Sequence, residues 1–357
     1  MTFLRLVIPL HKGKSNWKCI YYFWFVIFLI YSMPMIYFKL PFDERLYTVN
    51  EKNNTNAVNF HSYDTLNQIN FHGDIIEVSS PEWDHTSITN TSLANDTTHF
   101  IAETNEEYIT NLQQVIDVIK ENNLPKLVYS RRKIFTDFNN IDLKESFNNL
   151  CKSYPNAFRY LFNDGKNAWM GAFSEVLGKF NKTTHAFETM ALAGTLPVSE
   201  AWSEKEIEEQ KPVTSYIQNI LDNYTDQVFQ SETYDHIAGN IKHLRTDFKT
   251  HIQPQDLDQL IQDLHPTPAV CGIPKDFCND NIRKYEKFPR EFYAGYIKVE
   301  TEESILYFVN LRCARLYQDR IHIFVGGGIT DLSNPEKEWI ETELKSEAIL
   351  KNLTLLT

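Results

Sequence analysis

Leu264-His265-Pro266-Thr267-Pro268-Ala269, Arg312-Cys313-Ala314-Arg315, Gly326-Gly327-Gly328 and Glu338-Trp339-Ile340-Glu341-Thr342-Glu343-Leu344-Lys345 follow one another through the last quarter of the chain and read as parts of one site. In the last of them Glu338, Glu341 and Lys345 fall at spacings of three and four, so a helix there lines two carboxylates and an ammonium along one face. The apolar run Ile321-His322-Ile323-Phe324-Val325 predicts a strand that ends in the three glycines, where bare backbone N–H groups can approach an anion. Arg312 follows Leu306-Tyr307-Phe308-Val309-Asn310-Leu311 and reads as part of that second short strand. Carboxylates for a metal, with an arginine and bare amides for an anion, point to a small, multiply charged acid as ligand.

Around this quarter lies a chain of 357 residues, 42% hydrophobic, long enough to bury a large core. Its formal net charge is −12, and no basic block stands out beyond the N-terminus, which excludes nucleic acid as a partner. The five cysteines, Cys19, Cys151, Cys271, Cys278 and Cys313, include no C-x-x-C and fit a reducing compartment as buried thiols.

Residues 19–38 carry no charge and are long enough to span a bilayer. The basic residues before them would place the N-terminus inside the cell and everything after residue 39 outside. A second reading makes Met35-Ile36-Tyr37-Phe38-Lys39-Leu40-Pro41 the opening strand of the fold, with residues 1–34 an N-terminal extension. Residues 43–99, rich in Asn, Thr, Asp and Ser, read as short strands joined by loops.

From residue 105 to 122 apolar positions recur at helical spacing, and Pro125-Lys126-Leu127-Val128-Tyr129-Ser130-Arg131 then reads as a strand. Lys126 is either an edge lysine facing water or a desolvated amine able to act as a base. Glu175 interrupts an apolar context, either as a strand-end carboxylate or as an acid catalyst. Thr189-Met190-Ala191-Leu192-Ala193-Gly194-Thr195 reads as a strand closing in a tight turn. Ser203-Glu204-Lys205-Glu206-Ile207-Glu208-Glu209-Gln210 opens a long helix whose glutamates either face solvent or, in part, hold a metal.

The run from Lys126 to Arg131, residues 171–175, Leu192-Ala193-Gly194-Thr195, Glu209-Gln210, His243-Leu244, residues 264–268, Tyr293-Ala294-Gly295, Arg312-Cys313-Ala314, the glycine triplet and residues 338–345 occur in the order and phrasing of the chorismate-utilising enzymes. Within that family the chain resembles the isochorismate synthases, over roughly residues 100–350. The resemblance implies an α+β fold of two large, mostly antiparallel sheets packed together with flanking helices, the site between the sheets. It implies a variable N-terminal part over residues 35–100 and a chorismate-binding catalytic domain over 101–355.

The implied reaction adds water at C2 of chorismate and expels the C4 hydroxyl, with Lys126 as base and Glu175 as acid. Burial would lower the first pKa and raise the second. Glu209 and Glu341 match ligands of Mg²⁺, with Glu338 and Glu206 beside them. Arg312, Tyr293, Gly326 and Gly327 match a clamp on the enolpyruvyl carboxylate. Gly194, Thr195 and His243 match positions lining the ring, and Lys345 adds a positive charge.

Lys126 and Ala193 favour water over ammonia, which sets the chain apart from anthranilate-type synthases, while salicylate synthase shares the lysine. Phe173-Ser174, Leu196 and Lys298 depart from the usual pattern. The product is expected to feed menaquinone rather than siderophores, since no carrier or lyase module is attached, and the enzyme is expected to be a cytoplasmic monomer. A reading from another class is a membrane-anchored, non-catalytic binding protein that contacts the bilayer through residues 19–38.

Overall fold

The computed structural model describes residues 35–356 apart from 52–54, 90–91, 137, 139 and 239–240. The chain opens with β1 (Met35–Lys39), β2 (Tyr47–Asn50), β3 (Asn56–His61), β4 (Gln68–His72), β5 (Asp74–Glu77) and the short helix α1 (Ser80–His85). After α2 (Asn105–Glu121) come β6 (Lys126–Thr136), β7 (Ile141–Asp142), α3 (Leu143–Ser153), β8 (Phe158–Asn163), β9 (Ala168–Phe173), β10 (Val176–Asn181) and β11 (Ala186–Pro197). Helix α4 (Glu204–Leu221) leads to β12 (Phe229–Gln230), β13 (Tyr234–Ala238), β14 (Ile241–His251), α5 (Leu257–Leu264), β15 (Gly272–Ile273) and α6 (Lys275–Tyr285). The last part holds β16 (Tyr296–Glu300), β17 (Ser304–Val309), β18 (Cys313–Leu316), β19 (Arg320–Ile329), α7 (Pro335–Leu350) and β20 (Thr354–Leu355).

Among the described residues these strands form two nine-stranded sheets, one in the order β15-β6-β19-β18-β9-β8-β1-β2-β5, the other β12-β14-β11-β10-β17-β16-β3-β4 with β13 also on β14. The pairings are antiparallel, and the architecture is α+β, as the resemblance implies. β8 and β9 are buried along their whole length, which explains why Phe158-Arg159-Tyr160-Leu161-Phe162 and Trp169-Met170-Gly171-Ala172-Phe173 show almost no polar alternation. Aromatic rings from both sheets, among them Phe60, Phe158, Tyr160, Phe173 and Phe308, fill one core. On the outer face of the first sheet, α2 buries Tyr108, Leu112, Val115, Ile116 and Ile119 behind a Thr104/Glu107 capping box.

The chain passes from one sheet to the other between β9 and β10, at Ser174-Glu175, and returns between β17 and β18, at Asn310-Leu311-Arg312. The two crossings lie side by side: the Val309 N–H donates to the Glu175 carbonyl at 3.1 Å, and the Ala172 N–H to the Arg312 carbonyl at 3.2 Å.

β1 pairs with both β2 and β8, and it buries Ile36 and Phe38 completely while Leu40 packs partly against the same core. Residues 35–38, the end of the uncharged run, are therefore strand, and residues 19–34 lie outside those described. Among the described residues no helix is long and apolar enough to cross a membrane. A chain starting at Met35 is expected to fold, whereas Phe38→Ala is expected to cost about 3–5 kcal/mol in denaturant titration. A loss under about 1 kcal/mol would contradict the central place of β1.

Candidate active site

A cavity between the sheets is lined by β6 and β19 of the first sheet, β11 and β14 of the second, both crossings, and side chains from α4 and α7. Lys126, the first residue of β6, is 3% exposed and points into it, so of its two readings the exposed edge lysine is set aside. Its Nζ lies 2.7 Å from Oε1 of Glu209 on α4. Both groups lie against Gly328, where a methyl would overlap the lysine chain and come within 2.6 Å of the Glu209 oxygen, so any larger residue there would displace the pair.

Glu175 stands on the cavity wall at the first crossing, 7% exposed. Burial pushes its carboxyl up to about 7, against the opposing pull of Lys126. The unusual Phe173, two residues before it at the end of β9, packs at a tilt against Phe158 and Phe308, and Glu175 still faces the cavity.

Arg312 is not within a strand. It occupies the second crossing with φ of +42°, a left-handed conformation that costs a non-glycine residue energy and that recurs at functional sites. It lines the cavity, burial lowers its pKa from the usual guanidinium value, and its guanidinium carbon lies 5.6 Å from the centre of the Tyr154 ring. A buried guanidinium without a carboxylate partner among the described residues is a place for an anion from outside.

The glycines do not end a strand either: β19 runs through them to Ile329, paired with β6. The Ser130 and Val128 N–H groups donate away from β19, to Glu286 and to the Cys271 carbonyl. Their partners Gly326 and Gly328 therefore sit at non-hydrogen-bonded pairs and turn their backbone groups off the β6 edge, while Gly327 faces Tyr129 in the ladder. Lys345 Nζ confirms this orientation by donating to the Gly326 carbonyl at 2.9 Å. β18 pairs no further along β19 than Ile323, so this edge is open beside the cavity. The Tyr293 ring stacks on Phe324, and its hydroxyl lies 3.0 Å from where a Gly326 methyl would be.

Gly194 and Thr195 form a bulge inside β11 rather than a turn after it, since pairing with β14 resumes at Leu196↔Lys242; Gly194 takes φ of +69° there. The bulge points the Gly194 carbonyl at His243 Nδ1, 3.0 Å away, with Thr195 Oγ1 at 3.1 Å. A carbonyl only accepts, so Nδ1 carries the proton and Nε2 is an acceptor. Burial first, then the charge of Arg312, lowers the His243 pKa to about 3, so the ring is neutral.

On α7, Glu338 and Glu341 stand over Gly327: a methyl there would lie 3.3 Å from Glu338 Oε2 and 3.8 Å from Glu341 Oε1. Lys345 pairs with Glu341 at 2.6 Å. Burial opposes the lysine's charge, yet Glu341, Glu338 and Glu209 raise its pKa. Glu206 packs on Gly194 and turns Oε2 back to cap α4, accepting from the Ser203 N–H at 3.1 Å. Among the described residues no three His, Cys, Asp or Glu groups form a ready-made metal cage. The sequence reading missed Leu311 and Phe324, apolar wall residues with no signal beyond their hydrophobicity, and the Lys126–Glu209 pair.

The family described as Chorismate binding enzyme matches residues 38–354. The chain belongs to it. Among relatives, the isochorismate synthase MenF of Escherichia coli K12 is 28% identical over 207 residues, 53% of this chain and 46% of that protein. The vibriobactin-specific isochorismate synthase of Vibrio cholerae is 25% identical over 262 residues, 69% of this chain and 66% of that one. The chain thus spans less than two thirds of the length of either. The solved structure of MenF, the menaquinone-specific isochorismate synthase from Escherichia coli, shares the fold with a TM-score of 0.74 at 19% identity, covering 90% of this chain and 89% of that one.

Proposed function

We propose that the chain is an isochorismate synthase, which adds water at C2 of chorismate and releases the C4 hydroxyl. The reading is carried by one observation: a buried carboxyl held near pH 7, Glu175, shares a cavity with a buried lysine, Lys126. Isomerisation by water needs that pair. Lys126 takes a proton from water as its oxygen bonds to C2, the double bonds shift, and Glu175 gives its proton to the departing C4 oxygen. One water enters and one leaves. Family membership and the relatives named as isochorismate synthases support the assignment.

Arg312, the Tyr293 hydroxyl and the outward Gly326 N–H would receive the enolpyruvyl carboxylate; Gly327, whose N–H is taken up by Tyr129 in the ladder, would shape the wall without donating, and Gly194, Thr195 and the acceptor nitrogen of His243 would line the ring. The donor set fits Mg²⁺: Glu209 and Glu341, with Glu338 beside them, offer oxygen only, across the floor made by Gly327 and Gly328. Bound there, Mg²⁺ would supply the positive charge that holds the ring carboxylate. Glu206 would contribute through its second oxygen, by way of a water. The four described cysteines are buried free thiols, which fits a cytoplasmic enzyme. Its product would enter menaquinone formation, the use named for the structural relative.

Excess chelator is expected to stop turnover, and chromatography of the metal-replete reaction is expected to show isochorismate. Full activity in chelator would end the metal assignment. Salicylate with pyruvate as the main product, or an amino product with ammonium, would move the chain to another branch of the family.

A further inference from the structure

Helix α7 is oriented in an unusual way. Its buried positions are Pro335, Glu338, Thr342, Ser346 and Ile349, mostly polar, while Ile340 and Leu344 are 56% and 68% exposed. The apolar contacts of the helix come from Trp339, beside Tyr108, and from Ile349 and Leu350 near its end, so the stretch between them is turned by polar groups, and a turn of one residue, about 100°, would carry Glu341 away from Gly327.

What grips the helix is a polar clamp from β6. The Arg131 guanidinium lies 3.7 Å from the centre of the Trp339 ring, its Nε donates to Thr342 Oγ1 at 2.8 Å, and a terminal nitrogen pairs with Glu343. Tyr108 of α2 lies 5.6 Å from the same guanidinium. Two residues on, and so on the same face of the strand, Lys133 donates to Glu343 and Ser346, both at 2.8 Å. Stacking and edge-on donation together fix a plane, which only the rigid fork of arginine provides.

We propose that Arg131 is a positioning residue that sets the rotation of α7 and so places Glu338, Glu341 and Lys345 over Gly327. This rests on the reading of those side chains as the metal side of the site. β6 also carries Lys126, on its opposite face, so one strand holds both the amine and the carboxylates in register.

The test is Mn²⁺ binding, followed by electron paramagnetic resonance without substrate, in the parent and in Arg131→Met, Arg131→Lys and Thr342→Val, each checked by circular dichroism and melting. Arg131→Met is expected to bind Mn²⁺ at least about tenfold more weakly. The KM for Mg²⁺ should rise in step, and kcat at saturating metal should largely persist. Lysine is not expected to rescue, because an ammonium neither stacks nor forks. Thr342→Val, nearly isosteric, is expected to shift affinity in the same direction by less, and it decides the matter if Arg131→Met fails to fold. Folded variants with parental affinity would overturn the proposal while leaving the metal site standing. A parent that binds no Mn²⁺ would overturn both.

Discussion

Lys126→Ala is expected to convert chorismate at least about a hundredfold more slowly than the parent, with the fold and the metal side of the site intact. No neighbouring group can take over the proton. His243 is too weak a base with its pKa near 3, and Arg312 keeps its guanidinium proton. Lys345 is tied to Glu341 and to the Gly326 carbonyl. The substitution also frees Glu209 from the lysine nitrogen 2.7 Å away, so metal affinity should hold or tighten. Steady-state rates at saturating Mg²⁺, read beside Mn²⁺ affinity, separate lost chemistry from a collapsed site. A near-parental rate would remove Lys126 from the mechanism.

Glu175→Gln is expected to fail for the complementary reason, by a factor of roughly 10² to 10⁴, because an amide has no proton to give. The parent carries a pH signature of the same residue. Its carboxyl works when protonated, and burial holds the pKa at about 7, so activity should fall as pH rises past that value. Stability follows the same sign. The folded pKa lies above the 4.5 of an unperturbed glutamate, so the contribution of Glu175 is complete below that pH and is lost as pH rises towards 7. Urea titrations at pH 5 and pH 8 should show a smaller difference in the glutamine variant than in the parent. An unchanged pH dependence of both rate and stability in the variant would remove Glu175 as the acid.

The elements that sequence showed well are those whose pattern is local. α2 announces itself through apolar periodicity, and α4 begins after Ser203, where the serine precedes a run of acidic residues. β1 was legible from its alternation of Ile36, Phe38 and Leu40. Misreadings came where distant pairing overrides local signals. Three glycines look like the end of a strand until β6 is laid beside them, and Gly194-Thr195 looks like a turn until β14 is found on both sides of the bulge. Arg312 looked like strand because its neighbours are apolar, yet the crossing at which it stands depends on two sheets that sequence does not display. Glu206 is close to Glu209 in sequence, but a capping interaction with Ser203 claims one of its oxygens.

The side-by-side crossings at Glu175 and Arg312 also bear on when the site comes into being. Everything from β10 to β17 separates these residues along the chain, and their backbones meet only once both sheets have closed. A growing chain on the ribosome carries its acid and its amine long before the arginine is synthesised. Contacts between such remote segments form late and slowly. Capacity to bind an anion should therefore emerge in the final phase of refolding, after the helices have formed, and serve as a clock for the last long-range pairing.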